Sequence, residues 1–248
     1  MTSILYEHPL NERIRNYLKL EQLFLQAKSY DACQLENTHQ SFFSTLFSII
    51  DNLERNDIRG DLIKDLEKLE QTLVVWSKSP EINSNALEDN LKQVVSLVCK
   101  LKGNRPRWLA LKEDKFLNSV KQRFAIQGGS SSFDLPQLQF WLHQANEAKS
   151  GDISRWLGYL VQIDQALILV LKFIRQRSQF EVITTDTGFY QDNGEGLLLL
   201  RIQVDATANY YPTVSGNRFR YSIRFMHPCQ EHGRRYSNDP TKFELSRC

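Results

Sequence analysis

The chain has 248 residues, 41% hydrophobic and 24% charged, which excludes a wholly disordered polypeptide and is long enough for one large core or two modest ones. Lys and Arg total 31 against 29 Asp and Glu, so a formal charge of +2 excludes a protein that holds a polyanion by net charge alone. Local distribution has to carry any electrostatic function, and it is uneven. Basic residues dominate from Lys100 to Arg123, where only Glu113 and Asp114 oppose them; Asp51 to Glu70 is net acidic; and seven arginines with Lys242 follow residue 200. This predicts a basic side and an acidic side.

The start, MTSILYEHPL, lacks the basic residues and apolar segment of a secretory signal. Cys33, Cys99, Cys229 and Cys248 are far apart and follow no CxxC spacing, as in a reduced cytoplasmic protein without disulfides. From Pro9 to about Ser178 the apolar pattern is helical. Leu10, Ile14, Leu18 and Leu25 recur at helical spacing beside a polar stripe of Arg15, Lys19, Gln22 and Gln26, with Pro9 placed for a first turn. Thr38 suits the cap of a second helix carrying Phe42, Phe43, Leu46, Phe47, Ile50 and Leu53. Leu62, Leu66, Leu69, Leu73 and Trp76 mark a third that stops before Pro80, and Asn83 or Asn85 opens a fourth ending near Gly103. A basic helix around Phe116 and Val120 follows. The breaker-rich IQGGSSSFDLP comes next, then a helix through LPQLQFWLHQANEAK and a long one from about Asp152 to Ser178. The apolar run Ala166 to Leu171 is much shorter than the roughly 20 residues of a membrane span, and reads as a buried helix. These helices carry more apolar stripe than one bundle hides, which points to a homodimer interface.

After Phe180 the texture changes. FEVITTDT, GFYQ, LLLLRIQVDAT, RFRYSIRFM and KFEL are short and rich in branched and aromatic residues, separated by DNGEG, YYPTVSGN and HPCQEHG, which have turn composition. The fold class is therefore α+β: a mainly helical domain over 1–180, expected to hold the dimer contact, followed by a smaller antiparallel β domain over 181–248.

No catalytic constellation is legible, and no cofactor is implied. His227, Cys229, His232 and Cys248 are zinc-type ligands without a zinc-type spacing, so no metal site is expected. GGSSSF lacks the lysine of a phosphate loop and the G-x-S-x-G of a nucleophile elbow, which leaves a hydrolase at Ser131 as a weak alternative. His143 has no Ser, Cys or acid tied to it by spacing. The arginines are more informative. Read as a strand, residues 218–226 put Arg218, Arg220, Ser222 and Arg224 on one face and Phe219, Tyr221, Ile223 and Phe225 on the other. Three like charges in a row stabilise no fold. Arginine in place of lysine, with Tyr210, Tyr211 and Phe189 nearby, fits bidentate capture of carboxylates on an acidic peptide. The alternative is a nucleic-acid module using Lys100–Arg123 and the same strand, though no RNP or helix-turn-helix signature is present.

The phrases YEHPLNERIRNYL, QRFAIQGGSSSFDLPQLQFWLH, GFYQDN, YPTVSGNRFRYSIRFM and the terminal FEL..C resemble, in order and spacing, the bacterial ZapD family of cell division proteins. The resemblance implies a non-enzymatic division factor in the cytoplasm: a homodimer with a helical and a β domain that binds the C-terminal tail of the tubulin-like protein FtsZ. It further implies cross-linking of FtsZ filaments at the midcell ring. The family's positively charged pocket maps onto Arg15, Lys19, Arg123, His143, Arg220 and Arg224.

Overall fold

The structure, a computed structural model, describes residues 2–30, 35–77, 84–129, 131 and 133–248. Cys33, Pro80, Asn83 and the first and last serines of GGSSSF lie outside them. Helices come first and antiparallel strands follow, an α+β order. The chain forms two compact units, residues 19–170 and residues 1–18 with 171–248. The N-terminal residues thus group with the strands rather than with the helices that the sequence pattern joined them to.

The helix α1 (Glu12–Lys28), whose residues 12–18 fall in the second of these units and 19–28 in the first, starts after Asn11, whose Oδ1 accepts the Ile14 N–H at 2.9 Å. Pro9, expected in that first turn, instead ends a strand. The second helix, α2 (Leu35–Arg55), starts ahead of Thr38, which is inside it and not its cap. Then come α3 (Ile58–Trp76), α4 (Ser84–Leu101), α5 (Leu109–Glu113), α6 (Lys115–Phe124), α7 (Pro136–Leu142) and α8 (Asn146–Arg175). The core is aromatic: Phe43 packs against Phe42, Phe47, Phe116, Phe124, Trp141 and Trp156 with ring centroids 5.2–6.1 Å apart. Both buried indoles keep a hydrogen-bond partner. Trp141 Nε1 donates to Asp152 at 2.8 Å, and Trp156 Nε1 donates to Asp114, the cap of α6, at 3.0 Å. Lys149 is buried and donates to the Leu142 carbonyl at 3.0 Å, tying the end of α7 to α8. By length and composition alone α8 could span a membrane, yet half of its most apolar stretch is buried in the protein and its buried Asp164 holds Lys28 at 2.5 Å. It behaves as a core helix.

The second unit holds β1 (Ser3–Pro9), β2 (Glu181–Thr185), β3 (Phe189–Asn193), β4 (Leu199–Asp205), β5 (Tyr211–Gly216), β6 (Arg220–Cys229), β7 (Gly233–Tyr236) and β8 (Thr241–Arg247). Two antiparallel sheets form, one in the order β1-β4-β8-β2 and one in the order β3-β6-β5 with β7 also on β6. Their inner faces share one core of Leu200, Ile202, Val204, Phe243 and Leu245 from the first sheet and Tyr221, Ile223 and Phe225 from the second. Two segments with turn composition are strands: YYPTVSGN supplies β5, where Pro212 is tolerated at a sheet edge, and HPCQEHG extends β6 to Cys229.

The strand β1 runs beside β4 with Glu7 opposite Arg201, and Glu7 also takes a 2.6 Å ion pair from Arg175. One carboxylate thus joins two strands and the end of α8. Its neighbour His8 is held below its ordinary 6.5, first by burial and then by the Arg15 charge. A histidine whose folded value is depressed contributes no penalty above the unfolded value and disfavours folding below it. The melting temperature should therefore drop as pH falls from about 7 to about 5, and His8→Gln should flatten that part of the profile. A profile unchanged by the substitution would place the effect elsewhere.

Candidate functional site: the arginine face of the second sheet

Alternation along β6 buries Tyr221, Ile223 and Phe225 and exposes Arg220 and Arg224. The strand begins at Arg220 because the turn before it is closed locally. Asn217 Oδ1 accepts the backbone N–H groups of Phe219 and Arg220 at 2.8 and 3.1 Å, and the Asn217 N–H donates to the Arg220 carbonyl at 3.0 Å. Arg218 and Phe219 therefore sit in the β5–β6 turn. Phe219, expected in the core, is 59% exposed with the Arg218 guanidinium over its ring at 4.5 Å.

Register defines the rest of the face. Arg224 lies opposite Phe189 on β3 and Thr213 on β5; Ser222 opposite Gln191 and Ser215; Arg220 opposite Asn193. Beyond Arg224, Met226 lies opposite Tyr211 and Tyr236, and Arg234 follows two residues before Tyr236 on the same face. None of these positions is acidic. The one acid of β3, Asp192, points to the other face, where it takes the Tyr190 hydroxyl at 2.9 Å and approaches Arg247 to 3.4 Å. The Asn193 N–H, ahead of Tyr190, holds its carboxyl below the usual aspartate range. Arg247 also donates to the hydroxyls of Tyr221 and Tyr190, and burial pushes the Tyr221 phenol up to about 12. The inner face thus satisfies its own charges. Among the described residues, Arg220, Arg224 and Arg234 of the outer face, and Arg218 in the turn before it, have no ion-pair partner.

The aromatic neighbours divide. Phe189 lies under Arg224, with its centroid 4.9 Å from the guanidinium carbon, and Tyr236, which the sequence reading missed, lies at 4.5 Å. Tyr210 instead packs edge-on against core Phe225 and donates its hydroxyl to the Lys242 carbonyl. Tyr236 and Arg234 carry no strand signal in the sequence because they follow the turn-like HPCQEHG, although GRRY forms the strand β7 that aligns them.

The other expected site residues lie on helices. Arg15 and Lys19 are one turn apart on α1, and Arg15 is 3.3 Å from Glu12. Arg123 is exposed in the last turn of α6. His143 is exposed at the end of α7, with Nδ1 2.8 Å from the Gln139 carbonyl. Arg15 belongs to the unit of the arginine face; Lys19, Arg123 and His143 belong to the helical unit.

The basic segment is not an open strip. Lys102 pairs with Glu67 at 2.7 Å, Lys112 with Glu54 at 3.2 Å, Lys121 with Asp51 at 2.7 Å, and Arg105 with Glu113. The acidic stretch of α2 and α3 and the basic segment therefore meet in the same unit rather than forming separate sides. These pairs are exposed or partly exposed and contribute little stability, but they neutralise Lys102, Arg105, Lys112 and Lys121, half of the segment's basic residues. Among the described residues no three His, Cys, Asp or Glu side chains gather as a metal site, so His227, Cys229, His232 and Cys248 do not converge.

Comparison with known proteins agrees with the phrases noted in the sequence. A model of the ZapD family, described as a cell division protein, matches residues 18–224. The chain is 40% identical over 248 residues to the cell division protein ZapD of Idiomarina loihiensis, covering 99% of this chain and 96% of the relative. It is 36% identical over 224 residues to that of Serratia proteamaculans, covering 90% of each, and 37% identical over 232 residues to that of Yersinia enterocolitica, covering 94% and 93%. With an α+β fold and matches that run through the helices and into the arginine strand, the chain belongs to the ZapD family of cell division proteins.

Proposed function

We propose that this protein is a non-enzymatic division factor that binds the acidic C-terminal tail of FtsZ through the arginine face and, as a homodimer, cross-links FtsZ filaments at the midcell ring of the cytoplasm. The observation that carries the reading is the outer face of β6, where Arg220 and Arg224, with Arg218 at the turn, stand among Ser, Thr, Asn and Gln with no acid on the face. A fold gains nothing from such a group of charges; a carboxylate-bearing peptide does. Arg15, Lys19, Arg123 and His143 are the further tail-binding residues on this reading.

Dimerisation supplies the second site that cross-linking requires. Its support is apolar surface left exposed on the helices: Val74, Val75 and Trp76 at the end of α3, Val95 on α4 and Phe140 on α7. Two weak sites on one particle, meeting a filament that displays many tails, raise the effective affinity by about 10²-fold or more where geometry permits.

Fluorescence anisotropy of a synthetic FtsZ tail peptide tests the site. Saturable binding at moderate salt, lost when the peptide's acids become amides, is the expected outcome. Retention of mixed-sequence DNA with steep salt dependence, and no peptide binding, would favour the nucleic-acid alternative instead.

A further inference from the structure

The arginines of the face are not equivalent. Arg220 has the small polar Asn193 as its cross-strand neighbour, whereas Arg224 lies over two rings. Phe189 and Tyr236 are 38% and 59% exposed, so neither is there to build a core. Their adjacency is made by the backbone. The Phe225 N–H donates to the Gly188 carbonyl at 2.8 Å and the Phe225 carbonyl accepts from the Ser237 N–H at 2.9 Å, so the start of β3 and the end of β7 meet along one side of β6. Gly188 permits this: its φ is +60°, and a Cβ there would lie 2.6 Å from the Ser237 carbonyl oxygen. Removing that side chain lets the strand ends close and sets Phe189 and Tyr236 side by side under the guanidinium.

We infer that Phe189 and Tyr236 are positioning residues that clamp Arg224 so that it reads a ligand carboxylate through its N–H edge, making Arg224 the specificity-determining arginine while Arg220 serves mainly to attract. The clamp rests on the arginine-face reading above. A guanidinium stacked on rings offers aromatic carbon on its flat side, which leaves the in-plane fork of N–H groups for solvent or a ligand. Two parallel N–H groups match the two oxygens of one carboxylate, whether a side chain or a chain terminus, and do not match an amide equally well. Holding the fork before the ligand arrives reduces the rotamer freedom lost on binding. Lysine can satisfy the charge at either position but neither stacks as a plane nor forks.

The test is a peptide-binding series with the tail peptide and a copy whose acids are amides, using full-length variants whose melting curves match wild type. Arg224→Lys should weaken acidic-peptide binding about tenfold or more, and Arg220→Lys about threefold or less. Phe189→Leu and Tyr236→Leu should each weaken it about two- to fivefold, with Tyr236→Phe keeping wild-type binding and with the amide copy failing to bind wild type and variants alike. Equal losses for the two lysine variants, or ring removals without effect, would overturn the clamp; the arginine-face reading would still stand if Arg224→Glu abolished binding. Wild-type binding by Arg224→Glu would overturn both.

Discussion

Arg224→Glu is expected to abolish detectable binding of the FtsZ tail while leaving the melting temperature within a degree or two of wild type. The residue is exposed and has no ion pair among the described residues, so the fold does not depend on its charge. A peptide carboxylate docked there would meet a like charge where the wild-type protein offers a guanidinium fork. Breaking a desolvated, hydrogen-bonded charge pair costs about 2–5 kcal/mol, and reversal adds repulsion. Arg220→Glu should act in the same direction with a larger share in the association rate, since its contribution is attraction at a distance. Peptide anisotropy and stopped-flow mixing check both. Unfolding of either variant would show that these arginines are structural.

Phe225→Ala is expected to destabilise the β unit by about 3–5 kcal/mol. The ring is fully buried, 4.8 Å from the Phe243 centroid and 5.4 Å from Tyr210, where the two sheets face each other. Deleting it leaves a cavity that neighbours on two different sheets cannot close. Phe219→Ala, six residues earlier with the same strand parity, should change stability by only about 0.5 kcal/mol or less, because that ring is in the turn. Urea denaturation of the pair separates the two positions. Equal losses would mean that the strand starts at residue 218 and that the turn assignment is wrong.

That contrast shows where the sequence was readable. Period-two alternation correctly placed Tyr221, Ile223 and Phe225 inside and Arg220 and Arg224 outside, since burial alternates from Arg220 to Phe225 and breaks only at buried Met226. The same alternation continues through Arg218 and Phe219, so nothing in it marks where the strand begins; the stop comes from Asn217 bonding two backbone N–H groups, a local geometry that Asn signals only weakly. The helices were legible from their apolar spacing because burial repeats every three or four residues along them. β1 was not. SILYEHP pairs with β4, about two hundred positions away, and no local pattern of seven residues reveals a partner at that distance. The same limit hid the charge pairing of Lys102, Lys112 and Lys121 with Glu67, Glu54 and Asp51: counts along the chain suggested two charged sides, and folding brought them together. At the site, Arg224 and Phe189 were noted separately, but their contact depends on the register of β3 with β6, and Tyr236 depends on a hairpin hidden in turn-like composition.

Co-sedimentation with GTP-assembled FtsZ, comparing the intact polymer with one lacking its C-terminal tail, asks whether the tail is what the arginine face holds. The protein is expected to pellet with, and bundle, only the intact polymer. Equal pelleting with both polymers, or with neither, would contradict that expectation.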